Sequence, residues 1–249
     1  MEIITFGGGE RLIYCQNRLK QIASANLGKI VLLPIPSVSR DGFIKGSSIP
    51  PRSVIDAAEE GSLVAGYALP ECLVESLLEA GSFVYDAETD EDFLLENARL
   101  TAHGALGHIL SDLKKDVSAL RVAIVGYGRI GAEMLRLLLF LGAEITLLTT
   151  RERVARELGE MGVSARFLDG RADLSGFDLV INTAPAMLFD EKTPGIFDCP
   201  IFDLASGDVL PSLPNIKKLS ALPEKMYPET AGEKYADAIL RAFFSEVTV

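Results

Sequence analysis

The run Leu120-Arg-Val-Ala-Ile-Val-Gly-Tyr-Gly-Arg-Ile-Gly131 constrains the fold more than any other stretch, because it joins an apolar strand to a glycine-spaced turn that opens a helix. Gly126, Gly128 and Gly131 hold the G-x-G-x-x-G positions, with Tyr127, Arg129 and Ile130 between them. In such a turn the first glycine permits a tight bend, the second lets a pyrophosphate approach the backbone, and the third lets the helix pack closely on the strand. The helix expected over Glu133 to Leu141 would aim its first N–H groups and the positive end of its dipole at phosphates.

Glycine makes up 22 of 249 residues, so the spacing also arises by chance and its surroundings must decide. Val122-Ala-Ile-Val125 is a short apolar run of the kind buried in a parallel sheet, and Gly142-Ala-Glu-Ile-Thr-Leu-Leu148 repeats the pattern behind a helix-ending glycine. Together they make one βαβ unit of Rossmann type that binds a dinucleotide; the competing reading is a glycine-rich turn that binds nothing.

The end of the second strand bears on which dinucleotide. NAD selects for an acidic side chain there, to accept from the ribose 2′-hydroxyl. This chain has Leu148-Thr149-Thr150-Arg151-Glu152-Arg153. Threonine hydroxyls and the Arg151 guanidinium suit the 2′-phosphate of NADP, which arginine pairs in bidentate fashion. Glu152 turned toward the ribose would favour NAD, and Arg151 with Arg153 would equally begin a solvated helix.

The length accommodates two modest domains, and 48% apolar with 24% charged residues is the composition of a soluble globular protein. A net charge of −11 argues against nucleic acid or an anionic membrane surface as partner, so any anionic ligand needs a local cluster of cations. The opening residues lack the basic flank and cleavage pattern of a signal peptide, and the apolar segment around Met134 to Leu141 is too short to span a bilayer. Cys15, Cys72 and Cys199 are odd in number and widely spaced, which indicates neither a disulfide framework nor a zinc site. A cytoplasmic protein without a metal is expected.

Ahead of the fingerprint, strands are expected at Glu2 to Phe6, Lys29 to Leu33, Ser62 to Ala65 and Ser82 to Tyr85. Helices are expected from Arg11 to Ser24, from Pro50-Pro51 through Ala58 and Glu60, and from Pro70 to Ala80. Residues 1–98 thus form a small α/β domain. Thr101 is placed as the N-cap of a connecting helix over Ala102 to Lys115, with apolar residues at Ala105, Leu106, Ile109, Leu110 and Leu113. Residues 99–228 carry that helix and the Rossmann-type, doubly wound parallel sheet. Within it, Phe177 to Pro185 and Pro200 to Ser206 are strands whose ends, Asn182-Thr183 and Ala205-Ser206, face the cofactor crevice. The segment Thr230 to Phe244 is helical, and residues 229–249 are expected to pack back on the N-terminal domain, leaving a cleft between the two.

Several separated motifs resemble the A subunit of dipicolinate synthase, a nicotinamide-dependent family of spore-forming bacteria. They are Pro34-Ile-Pro36 with Ser39-Arg-Asp-Gly42; Glu96-Asn-Ala98 with Thr101-Ala102 and Gly104-Ala105; Gly126-Tyr-Gly-Arg-Ile-Gly131; Asn182-Thr-Ala-Pro-Ala186; Asp203-Leu-Ala-Ser206; and Pro228-Glu-Thr-Ala-Gly232. The resemblance spans most of the chain. It implies dehydrogenation of a hydroxy-tetrahydrodipicolinate, a cyclic dicarboxylate, with NADP as hydride acceptor during sporulation. It further implies a B-type flavoprotein partner, and an assembly of like chains is expected with it. The chain departs from the family at Gly207-Asp-Val-Leu-Pro211, where a basic residue, proline and glycines are usual, at the shortened Leu222-Pro-Glu-Lys-Met-Tyr227, and at His103, where an acid is usual.

Asn182, Thr183, Ala184 and Pro185 are the candidates for contact with the nicotinamide end of the cofactor, and Asn182 is also a catalytic candidate; capping of the next helix is the plainer role for it. For substrate carboxylates, Arg40 comes first, then Arg11 behind Gly7-Gly-Gly9, then Lys225, each of which would equally serve as a surface charge. The triple glycine itself is either an anion-binding turn or a plain tight one. Of the two histidines, His103, read as lying in the first turn of the connecting helix, is the candidate proton acceptor, with Asp41 and Asp203 as fallbacks. Two other functions remain open: a non-catalytic dinucleotide-binding protein, regulatory or scaffolding, and another dehydrogenase such as a 2-hydroxyacid type.

Overall fold

Short runs of three to six residues, most of them apolar and buried on both faces, become the strands of two separate parallel sheets. The computed structural model describes residues 2–22, 28–170 and 172–247. Ser24, the expected end of the first helix, lies outside the described residues. The chain divides into two units, 1–97 with 223–249, and 98–222.

The first unit holds β1 (Glu2–Thr5), α1 (Glu10–Ile22), β2 (Lys29–Leu32), α2 (Arg52–Ala57), β3 (Leu63–Gly66), α3 (Glu71–Glu79) and β4 (Phe83–Asp86). Its sheet runs in chain order, β1-β2-β3-β4, all parallel. Alternation assigns each side chain a face: Ile30, Leu32, Leu63 and Ala65 join one core, and Val31, Leu33 and Val64 the other. Helices α2 and α3 cover the second face through Val54, Leu73 and Leu77. The first face is covered by Leu12, Cys15 and Leu19 of α1 together with Tyr235, Ala236, Ala238, Ile239 and Leu240 of the last helix, α8 (Pro228–Val247). A Cβ at Gly232 would stand 2.5 Å from the Arg11 carbonyl and 2.8 Å from the Cys15 nitrogen, so the two helix backbones approach where only glycine fits.

Helix α4 (Glu91–Asp112) contains the division between the units. It starts ten residues earlier than Thr101, which lies in its interior and is no N-cap. Asp90 caps the helix instead: its carboxylate accepts from the Phe93 N–H at 3.0 Å. By composition the acidic stretch 90–92 resembles a loop, yet carboxylates suit a first helical turn.

The second unit holds β5 (Arg121–Val125), α5 (Arg129–Phe140), β6 (Glu144–Thr149), α6 (Glu152–Glu160), β7 (Ala165–Phe167), β8 (Leu179–Asn182), β9 (Ile201–Asp203) and β10 (Ile216–Lys218). These pair in parallel in the order β10-β9-β8-β5-β6-β7, the doubly wound arrangement. Val122 and Ile124 of β5 point into one core, Ala123 and Val125 into the other. A short α7 (Leu222–Met226) precedes α8. Among the described residues no helix is long and apolar enough to cross a membrane. The three cysteines are free, Cys15 and Cys199 buried and Cys72 exposed.

Candidate functional site

In the six-stranded sheet, β5 and β8 are neighbours, but the chain leaves β5 toward β6 and leaves β8 toward β9 on the opposite side. The connections diverge there, which opens a crevice beyond the carboxyl ends of the two strands. Gly126 follows β5 with φ +96, a conformation that other residues rarely adopt. A Cβ on it would meet the Thr183 hydroxyl at 2.8 Å and the Ala184 nitrogen at 3.0 Å, so the turn after β8 is pressed on the glycine turn. A Cβ at Gly131 would lie 2.4 Å from the Gly126 carbonyl oxygen, which explains the third glycine as close helix packing. Gly128, the N-cap of α5, meets nothing within 4 Å. Its open side is where a ligand would face backbone.

Thr183 ties the two turns together, donating its hydroxyl to the Val125 carbonyl at 3.0 Å and the Gly126 carbonyl at 3.2 Å. Tyr127 and Ile130 pack partly buried on the core, whereas Arg129 is exposed in the first turn of α5.

At the end of β6, Thr149 is buried and its hydroxyl accepts from the Arg151 N–H at 3.2 Å, a local turn bond. Thr150 and Arg151 are exposed. The Arg151 guanidinium donates to the Tyr127 carbonyl, so this cation lies over the glycine turn rather than out along α6. Glu152 begins α6 and is exposed.

Asn182 is fully buried, and its amide is engaged on both sides. Its Nδ2 donates to the Asp203 carboxylate at 2.8 Å and the Ala184 carbonyl at 3.3 Å, while its Oδ1 accepts from the Ala184 N–H at 3.3 Å. Asp203, 2% exposed, also accepts from the Ala205 N–H and from the Lys218 ammonium at 2.8 Å. Lys218 further donates to the Ala205 and Gly207 carbonyls. Asn182 therefore acts on the crevice by shaping the turn at Thr183 to Pro185, not by offering a free amide. Sequence patterns do not single out Lys218, because it sits on a three-residue edge strand with exposed lysines that resembles any surface loop.

His103 lies in the middle of α4 rather than its first turn. Its imidazole is 3.7 Å from the Glu133 carboxylate of α5. The Glu133 carboxyl is held below its usual pKa, first by the hydrogen bonds from Arg136 and also by the charge of His103.

The substrate candidates belong to the first unit. Arg40 and Asp41 are exposed on the turn between Val38 and Ile44, which pair as an antiparallel bridge; Asp41 accepts from the Phe43 N–H. Lys225 is exposed on α7. Arg11 differs, being only 5% exposed in the first turn of α1. It donates to Asn97 at 3.0 Å, its Nε has no partner, and burial lowers its pKa against the opposing charge of Glu224. Lys45 and Glu224, which no sequence pattern marks, meet beside it at 3.6 Å. Among the described residues no cluster of histidine, cysteine or carboxylates is placed to hold a metal ion.

No family profile and no curated protein matches the sequence. Solved structures do match the fold. The dipicolinate synthase A protein from Bacillus halodurans gives a TM-score of 0.78 at 19% identity, covering 97% of each chain. Its counterpart from Bacillus subtilis gives 0.75 at 18% identity, covering 100% of this chain and 97% of that one. The NAD-complexed D-isomer specific 2-hydroxyacid dehydrogenase from Lactobacillus delbrueckii ssp. bulgaricus gives 0.52 at 12% identity, covering 100% and 98%. The chain thus has the α/β, dehydrogenase-like fold of the dipicolinate synthase A proteins, and the resemblance carried by the dispersed motifs is borne out as a divergent likeness at low identity.

Proposed function

We propose that this chain is an NADP-dependent oxidoreductase that dehydrogenates a hydroxylated cyclic dicarboxylate resembling hydroxy-tetrahydrodipicolinate. The observation that carries the reading is the switch-point turn, in which Gly126 and Gly131 have no room for a Cβ while Gly128 has nothing within 4 Å. A turn that merely reversed the chain would not need the second glycine bare toward solvent. When bound, a nicotinamide ring supplies the hydride acceptor. The chain supplies the rest: the N–H groups at Gly128 and the first turn of α5 for phosphates, Arg151 for the 2′-phosphate, and Thr183 and Asn182 to fix the turn beneath the ring. Arg11, Lys45 and Arg40 offer positive charge for the substrate carboxylates. A flavoprotein partner and assembly of like chains belong to the same reading.

The test is equilibrium titration of the purified chain with NADPH and NADH. NADPH should bind more tightly, and Arg151→Glu should reverse the order, since a charge-assisted contact of about 1.5–3 kcal/mol is exchanged for repulsion. Equal affinities in the parent protein would defeat the NADP assignment.

Two observations favour a second reading, a non-catalytic dinucleotide-binding protein: the Asn182 amide is engaged on both sides and His103 stands against Glu133. Turnover of a cyclic hydroxy-dicarboxylate by the isolated chain would exclude it.

A further inference from the structure

A carboxylate from the chain itself already lies against the triple-glycine turn between β1 and α1. An added Cβ at Gly9 would fall 2.0 Å from Oε1 of Glu224, so the carboxyl group lies directly against the Gly9 backbone at the start of a 13-residue helix. Its other oxygen is 3.6 Å from the Lys45 ammonium, which also donates to the Ile35 carbonyl. The Lys45 carbonyl would sit 2.6 Å from a Cβ on Gly7, which seats the lysine's own turn along the glycines. Arg11, nine-tenths buried and with its Nε unpartnered, is near enough that the charge of Glu224 opposes the lowering of its pKa by burial.

Three features make this more than a satisfied ion pair. A guanidinium N–H buried without an acceptor costs free energy, and it persists where something else is meant to complete it. Gly8, in the centre of the turn, meets nothing within 4 Å, so the cradle is open on one side. Glu224 is 27% exposed and is carried by a five-residue helix, an element with few bonds to break.

We infer that the β1–α1 turn is a carboxylate-binding site for a small anionic ligand, with Glu224 as a tethered internal occupant that a ligand carboxylate must displace. The inference deepens the proposed function, on which it rests for the identity of the ligand as the dicarboxylate substrate. Glu224 then sets specificity: it weakens binding of any anion that cannot outcompete it and keeps two cations neutralised in the empty protein.

Pyridine-2,6-dicarboxylate serves as the probe, titrated calorimetrically onto the full chain. Glu224→Gln should bind it about tenfold more tightly or better than the parent, because a like charge has left the site. Glu229→Gln, which makes the same change in net charge on α8, should bind as the parent does. Adding Lys45→Gln to Glu224→Gln should cancel the gain. In the parent protein, saturating probe should speed amide hydrogen exchange in α7, since Glu224 is expelled; this arm needs no variant to fold. No gain in Glu224→Gln, a gain of equal size in Glu229→Gln, or unchanged exchange in α7 would each overturn the inference. NADPH titration of the same samples separates the two claims: loss of NADPH binding alone defeats the oxidoreductase reading and leaves the cradle standing, whereas failure of the probe arms with NADPH bound does the reverse.

Discussion

At the scale of single residues, the three glycines of the β5–α5 turn divide into two kinds. Gly131 is needed by the protein, because the Gly126 carbonyl lies 2.4 Å from where its Cβ would be. Gly128 is not needed by the fold, because its φ of −93 suits any residue and its Cβ would touch nothing; under the proposed function it is the ligand that needs it. Gly128→Ala should therefore leave stability within about 1 kcal/mol of the parent while lowering dinucleotide affinity about tenfold or more. Gly131→Ala should lower both, the overpacking alone costing about 1–3 kcal/mol. Urea unfolding beside NADPH titration checks the pair, and equal loss of stability in both variants would refute the division. The glycine spacing is legible in sequence because it is local. The Asn182–Asp203–Lys218 network and the Glu224 carboxylate are not, since each joins residues whose nearness is decided only by sheet order or by the return of the closing segment.

At the scale of elements, legibility follows burial. Strands β5, β6 and β8 are apolar on both faces and stand out in any window, whereas β7 and β10 are three-residue edge strands with half-exposed patterns and pass for loop. The start of helix α4 is hidden by its acidic composition, and its true cap is also an electrostatic joint. Asp90 accepts from Phe93, from the Tyr85 hydroxyl at 2.8 Å and from Arg241 of α8 at 3.0 Å. Burial by itself would raise its pKa, but these donors outweigh it and hold the carboxyl below the usual value. A depressed folded pKa gives stability that is present above the unfolded value, about 3.9, and is lost as pH falls through the folded one. Asp90→Ala should cost about 1 kcal/mol at neutral pH through the lost cap. In denaturant series below about pH 4, the parent should lose stability more steeply than Asp90→Asn, whose side chain does not titrate. Parallel slopes would remove Asp90 from that role.

At the scale of the whole molecule, the two units differ in how their chains are built. The second is one continuous segment, 98–222, whose sheet is covered on both faces by its own residues. The first is discontinuous: residues 1–97 supply the sheet, but the closing segment supplies Tyr235, Ala236, Ala238, Ile239 and Leu240 to one face. Each large apolar side chain removed from that face forfeits about 1.5–3 kcal/mol, against a total stability of about 5–15 kcal/mol for a typical domain. The fragment 98–222 should therefore unfold cooperatively on its own and bind NADPH measurably, since the glycine turn, Arg151 and Thr183 all lie within it. The fragment 1–97 should show no cooperative transition until residues 223–249 are added as a separate peptide, and Gly232→Val in that peptide should abolish the rescue, because its side chain would enter the α1 backbone. Circular dichroism melts of the two fragments test this directly. A cooperative melt of 1–97 alone would mean that α1 suffices for the face, and that residues 223–249 serve the cradle at Glu224 rather than the stability of the sheet.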